Sequence, residues 1–395
     1  MQSKQSISMV QRILRLAMLA VGISCAITQV ARGGAVHKQS GQGISTVSAQ
    51  TGAEMPRIEN ARVETRAAGE SLASAFREIL EKAEKPEWVG YSVDEVAGER
   101  GVCCDNNWND ERCGTCRLEN DHNWNGGTTR EGNQPAGTVK LEGERKIVVL
   151  YRLEAKNIMR IRMASESCSL DVGGLQFIWL TGVQASESVA LLETYVHGAP
   201  FESHGDHGIG QGALSAIALH ADASADRAMQ SFVAPEQPEG LRRQAAFWLG
   251  VARGNAGLEA LRRMAKNDPT SDVRAHVAFA LSVSHESGAV DEMIHMAHAD
   301  ASSHVRGQAL FWLAQKAGKK AVGTITGAIE NDPDTDVKKK AVFALSQLPK
   351  DEGVPKLIEV AQTNHNAEVR KQAMFWLGQS NDPRALQFFE KILTQ

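Results

Sequence analysis

Two groups of residues in this 395-residue chain have side chains and spacings that suit chemistry. His197, Glu202, His204, Asp206 and His207 lie close together, and imidazoles with carboxylates are the donor set of a transition-metal site. Gly205, Gly208, Gly210 and Gly212 loosen the same stretch, which opposes preorganised ligation. A polar loop is therefore expected there, with metal binding by His197, His204 and His207 as the alternative. The second group is Cys103-Cys104 and Cys113-Gly114-Thr115-Cys116, in a loop rich in Asn, Asp and Gly, with Cys168 farther on. In an oxidising compartment such thiols form disulfides. Adjacent Cys103 and Cys104 can hardly bond to each other without strain, so they reach separate partners and one cysteine is left over. The alternative is zinc held by four thiolates of this loop, with His122 nearby. No nucleophile elbow, phosphate loop or dinucleotide fingerprint is present.

The elements that must position these residues show best in the last third of the chain. Phe247-Trp248-Leu249, Phe279-Ala280-Leu281, Phe311-Trp312-Leu313, Phe343-Ala344-Leu345 and Phe375-Trp376-Leu377 recur every 32 residues. A fixed period of this length is the mark of stacked supersecondary units. Val273, Val277 and Leu281 stand at i, i+4 and i+8, one helical stripe, and equivalent positions repeat it. A second apolar run, such as Val322, Ile325 and Ile329, lies between triplets, and Asp268-Pro269 and Asp332-Pro333 forbid one continuous helix. Asp272 and Asp336 are candidate N-caps. Each unit is thus a pair of helices. Ile217-Ala218-Leu219 and Ile178-Trp179-Leu180 read as degenerate earlier copies, which extends the array to 173–395.

At 100° per residue the Phe of each triplet falls well off the axis of core packing. Its ring either stacks between neighbouring helices or lines the concave face. Phe247, Phe279, Phe311, Phe343 and Phe375 are accordingly the candidate partner-binding residues. Trp248, Trp312 and Trp376 alternate with Ala280 and Ala344, a 64-residue duplication. Large-against-small packing explains it, with ligand-facing Trp anchors as the sharper alternative.

The pattern Asp-Pro-x-x-Asp-Val-Arg-x-x-Ala-x-Phe-x-Leu resembles the short HEAT repeat of the phycobilisome-lyase type. The resemblance implies that the basic column Arg242, Arg274, Arg306, Lys338 and Arg370 is structural, pairing with neighbours such as Asp272, Asp336 and Glu368. A formal net charge of −4 also argues against nucleic acid as partner. Deoxyhypusine hydroxylase, similar in fold, holds iron on His-Glu pairs at helix starts. The corresponding residues here are Arg243-Gln244, Ala275-His276, Gly307-Gln308, Lys339-Lys340 and Lys371-Gln372, and His285-Glu286 falls in a turn. Hydroxylase chemistry is not expected.

Lys4, Arg12 and Arg15 precede a short apolar stretch, Leu16 to Ile27, the length of a signal h-region rather than a spanning helix. Residues 1–35 are read as a signal peptide, or as an uncleaved anchor that would be the only membrane attachment, and 36–55 as a flexible linker. The region 56–172 reads as a small α+β domain with the Cys-rich loop 103–116: a helix over 71–83, strands at 88–93 and 147–151, and Arg160-Ile161-Arg162-Met163 on a sheet with one wet face. The expected fold is mainly α: a right-handed α-solenoid of two-helix HEAT-like repeats after that domain. The expected function is a non-catalytic exported protein, periplasmic or secreted, that offers its solenoid surface to another protein or scaffolds the envelope without a cofactor. The alternative is a metal-dependent or lyase-like enzyme using the His197–His207 loop or the Cys-rich loop, with zinc or another transition metal.

Overall fold

The computed structural model describes residues 55–97, 115–119, 146–197 and 208–394. Strands β3 (Glu87–Asp94) and β5 (Lys146–Glu154) are apolar almost without interruption and are buried along nearly their whole length, the habit of strands covered on both faces. They pair antiparallel, and β5 continues antiparallel into β6 (Asn157–Ser165). The other edge of β3 takes β8 (Gln176–Thr181) and then β2 (Arg62–Ala67), both parallel, which gives the order β2-β8-β3-β5-β6. A small parallel sheet joins β1 (Ile58–Glu59), β7 (Ser169–Asp171) and β4 (Thr115–Arg117).

Because side chains alternate across a strand, the larger sheet feeds two cores. Val89, Tyr91, Ile147, Val149, Tyr151, Ile161, Ile178 and Leu180 pack with helix α1 (Leu72–Lys82) and with the helical repeats. Trp88, Val148, Leu150, Phe177 and Trp179 pack with Cys116, Leu118, Cys168 and Leu170 around the small sheet. Ile178-Trp179-Leu180 is therefore part of a strand between β2 and β3, not an early helical repeat. The sheet runs on to Thr181, and the helical part begins with α2 (Ala185–His197) rather than at residue 173. A four-residue apolar run between Gln176 and Thr181-Gly182 carries no period by which a strand can be told from a helix.

The helical pairs follow in order. They are α3 (Ile209–Leu219) with α4 (Ala223–Phe232), α5 (Glu239–Ala252) with α6 (Gly254–Asn267), α7 (Ser271–Val283) with α8 (Gly288–Ala299), α9 (Ser303–Ala317) with α10 (Val322–Asn331), α11 (Thr335–Ser346) with α12 (Lys350–Thr363), and α13 (Ala367–Gln379) with α14 (Pro383–Leu393). The stacked pairs make an α-solenoid. Asp334, Asn366 and Asp382 cap α11, α13 and α14 by accepting from the backbone N–H two residues on, which satisfies donors left without intrahelical partners. Asp272 and Asp336, expected as caps, sit instead in the first turns of α7 and α11, behind the caps Thr270 and Asp334. There a carboxylate still favours the positive end of the helix dipole.

First helices α5, α7, α9, α11 and α13 lie against one another along most of their length, whereas successive second helices meet sparsely. Small residues allow the close layer: a Cβ on Gly250 would stand 2.2 Å from the carbonyl oxygen of Ala280. The same device roots the array on the sheet, since a Cβ on Gly212 of α3 would stand 2.2 Å from the carbonyl oxygen of Ile161 on β6. Val96 N donates to Leu219 O (2.8 Å) and Ala221 N to Asp94 O (2.9 Å), so the end of β3 and the end of α3 are joined by backbone. The helix-facing core of the sheet is thus continuous with that of the repeats. The α+β region does not close a separate core on this side, because α2 and α3 cover it together with α1.

Candidate functional site

The Phe column lies on the first helices. Phe247, Phe279, Phe311 and Phe343 are half-buried, and Phe375 is 54% exposed. Their rings form parallel pairs across repeats: Phe247 on Phe279 at 5.9 Å and 11°, Phe311 on Phe343 at 5.6 Å and 4°. The Trp residues join these pairs. Trp312 lies 4.7 Å from Phe279 and 4.8 Å from Phe311, and Trp376 lies 4.8 Å from Phe343 and 5.0 Å from Phe375. With Trp248 against Phe247 (5.5 Å), the aromatic contacts run unbroken over five repeats.

This geometry accounts for the 64-residue duplication. Ala280 and Ala344 follow Phe279 and Phe343 in their helices, and in each case the Trp of the next repeat leans on that Phe. The alternation is therefore packing, and the packing itself builds a surface. Each aromatic pair adds about 0.5–1.5 kcal/mol beyond the area it hides, which holds the rings in place while one side stays open.

Beside the ribbon, three and four residues before each Phe and so on the same helix side, stand Arg243-Gln244, Ala275-His276, Gly307-Gln308, Lys339-Lys340 and Lys371-Gln372. None is acidic. Acids come one turn earlier and are in use: Asp336 pairs with Lys339 (2.7 Å), Glu368 with Lys371 (2.9 Å), and Asp272 with His304 (3.6 Å). His276 packs against Phe279 (5.3 Å) and is pushed down to about 4 by burial and the neighbouring Arg243. A groove of about 450 Å³ opens here, lined by Ser303, His304, Asp336, Lys339, Lys340, Phe343, Gln372 and Trp376. The indole Nε1 of Trp376 is buried without an acceptor.

The first three residues of the basic column are turned onto acids of neighbouring turns. Arg242 donates to Asp268 at 2.9 and 3.2 Å, Arg274 to Asp300 at 2.8 and 3.0 Å, and Arg306 to Asp332 at 2.8 and 3.0 Å. Each pair is 26 residues apart, so the partner lies in the turn after the second helix and not at Asp272, Asp336 or Glu368 as expected. These bidentate pairs are supplemented by carbonyls of the preceding turn: Arg274 reaches Asp268 O and Arg306 reaches Asp300 O, each at 2.9 Å. Burial opposes the charge on Asp300, yet Arg274 and the N–H of Ser302 hold its pKa below the usual value. At the fourth position Lys338 and Asn364 replace the pair, and both bond to Glu330 instead, at 2.7 and 3.3 Å. Arg242, Arg274 and Arg306 are thus staples between repeats, whereas Arg370 bonds only to carbonyls of the turn before α13, Asn364 O at 2.8 Å and His365 O at 3.1 Å.

The metal and thiol candidates are only partly visible. His197 ends α2, exposed, with its ring edge on Phe232 at 5.5 Å; Glu202, His204, Asp206 and His207 lie outside the described residues. Among the described residues no three His, Cys, Asp or Glu side chains converge as metal ligands. Cys116 is buried on β4 and bonded in a disulfide, so its sulfur is not a thiolate ligand. Cys168 is buried in the same core, and Cys103, Cys104 and Cys113 lie outside the described residues. Among the described residues no helix is long and apolar enough to cross a membrane, and residues 1–54 lie outside them.

One polar cluster has no counterpart in the sequence reading. Tyr151 Oη meets Tyr91 Oη at 2.8 Å, Tyr91 Oη meets Ser188 Oγ at 2.8 Å, and Ser188 Oγ meets His220 Nε2 at 2.8 Å, while His220 Nδ1 lies 2.7 Å from Ala216 O. Since a carbonyl only accepts, Nδ1 carries the proton and the hydroxyls donate in one direction toward Nε2. Burial pushes His220 down to about 4 and Tyr91 up to about 12. A serine on an imidazole has the look of a nucleophile, but all four side chains are sealed from water and Nδ1 faces a carbonyl where a triad has a carboxylate. The cluster pins α2 and α3 to the sheet. Its members come from four elements, at spacings with no motif.

Residues 290–373 and 323–395 match the family described as HEAT repeats. No curated protein matches the chain. Among solved structures, human deoxyhypusine hydroxylase in complex with glycerol is similar at 14% identity and a TM-score of 0.28, covering 53% of this chain and 80% of that one. The complex of CpcE and CpcF of phycocyanin lyase from a Nostoc species is similar at 18% identity and a TM-score of 0.27, covering 52% and 80%. Kap121p bound to Pho4p is similar at 13% identity and a TM-score of 0.32, covering 53% and 27%. At these scores the three structures say nothing of activity.

Proposed function

We propose that this HEAT-repeat protein is a non-catalytic interaction protein that docks another protein along the aromatic ribbon of its first helices. The observation that carries the reading is the unbroken run of rings from Phe247 to Phe375, half-buried along its length and open at Phe375. Aromatic residues held rigidly at a surface give large contact area at little entropic cost, which is why they dominate binding energy at interfaces. Stacked repeats favour this use, since they offer extended surfaces. The reading includes export through the N-terminal segment, and the disulfide at Cys116 suits an oxidising compartment.

Crosslinking in the native host followed by mass spectrometry, with wild type compared to Phe375→Glu and Leu386→Glu, tests the docking. Leu386 is a comparably exposed apolar residue, at 61%, on α14 and outside the ribbon. Loss of one reproducible crosslinked partner from Phe375→Glu alone is expected. Equal crosslinking by all three proteins would remove the ribbon from the function.

A further inference from the structure

The ribbon is apolar, but the groove at its C-terminal end has a definite chemistry. Its lining donors exceed its acceptors. Among the described residues Lys340 has no hydrogen-bond or ion-pair partner, and its stem lies where a side chain at 307 would be: a Cβ on Gly307 would stand 2.3 Å from Lys340 Cδ. Gly307 thus makes room for a cation that the molecule does not use. Gln372 adds an amide, while the indole N–H of Trp376 is buried beneath the lining. The single carboxylate in the lining, Asp336, is already paired with Lys339 at 2.7 Å. Along the ribbon the flanking row from Arg243 to Gln372 holds cations, amides, small residues and the imidazole of His276, without one acid. A ligand that complements this strip brings acceptors with negative charge, interleaved with apolar groups to meet Phe343 and Trp376.

We propose that the groove formed by α9, α11 and α13 seats an extended acidic segment of a partner protein, with a carboxylate on Lys340 and an apolar side chain against Phe343 and Trp376. This rests on the docking reading above and adds the chemistry of the partner. An extended chain fits because it presents side chains alternately to two sides at about 3.3 Å per residue, so that a row of charges and a row of rings can be met by successive residues. Nucleic acid fits less well. It would place a negative charge at every nucleotide, whereas Lys339 and Lys371 are already neutralised by Asp336 and Glu368, so the strip offers few free cations for a continuous row of phosphates.

Fluorescence anisotropy with the full-length protein and three labelled probes tests this: a twelve-residue peptide alternating Glu and Phe, the same peptide with Lys for Glu, and a twelve-nucleotide oligothymidylate. The acidic peptide should bind at least about tenfold more tightly than the basic one, and added salt should weaken it. Lys340→Glu should reduce its affinity about tenfold and Lys340→Gln by less, with melting temperature unchanged because Lys340 holds no partner in the fold. Phe343→Ser should weaken it as well. If the basic peptide or the oligothymidylate binds as well as the acidic one, the acidic assignment falls; the docking reading still stands where Phe343→Ser lowers that binding. If no probe binds, the acidic assignment falls, and it takes the docking reading with it when Phe375→Glu also keeps every crosslinked partner.

Discussion

The junction between sheet and repeats and the aromatic ribbon across the repeats both gather aromatic and polar groups, but with opposite bookkeeping of water. At the junction Tyr91, Tyr151, Ser188 and His220 are sealed, and every donor meets an acceptor. The Arg242–Asp268, Arg274–Asp300 and Arg306–Asp332 staples belong to the same class. Along the ribbon the rings from Phe247 to Phe343 are half open, Phe375 is exposed, and Lys340 has no ion pair among the described residues. Groups that are buried and satisfied hold a structure together; groups held rigid and left unsatisfied at a surface are the ones a partner can complete. Residue type alone does not separate the two, since a Ser-His contact here is structural and a Phe column is the exposed feature.

Breaking the sealed class should cost stability. Arg306→Met leaves Asp332 buried without its partner, and urea unfolding should show a loss of about 3–5 kcal/mol, recovered in large part by Arg306→Met combined with Asp332→Leu. The natural replacement of both partners at Lys338 and Asn364 is consistent with that coupling. Acid should act on the junction next. Burial holds folded His220 at about 4, below its unfolded value near 6.5, so the unfolded chain takes up the proton first as pH falls. Stability is complete above about pH 6.5 and declines toward about pH 4, by about 3 kcal/mol in total. His220→Gln should flatten that part of the pH profile. Ser188→Val, which leaves His220 and Tyr91 without their shared partner, should cost about 2 kcal/mol at neutral pH. Phe375→Glu is the contrasting case, with an expected change within about 0.5 kcal/mol in the same assay. A large loss there would mean that the ribbon, too, is chiefly structural.

The repeat architecture was legible because each helix pair makes the same contacts with its neighbours, so Val273, Phe279 and Leu281 reappear 32 residues on as Val305, Phe311 and Leu313. The off-axis position of the Phe column follows from helical geometry alone. What the period could not supply was the identity of partners reached through turns. Arg274 finds Asp300, 26 residues along the chain, and not Asp272 beside it, because the helix start faces the following turn once the pair folds back. Nor could it tell Ile178-Trp179-Leu180 from a repeat, since a short apolar run serves a strand or a helix alike until its neighbours β2 and β3 are known.

The order of helices, their turns and the spacing of the rings are properties of local sequence, set by periodicity and by residues that start or stop a helix. The ribbon's continuity, the unpaired Lys340 above Gly307 and the sealed path from Tyr151 to His220 exist only after distant elements meet. They depend on distances of a few ångström between residues up to 97 positions apart, and contact at that range is decided by how whole helices and strands pack.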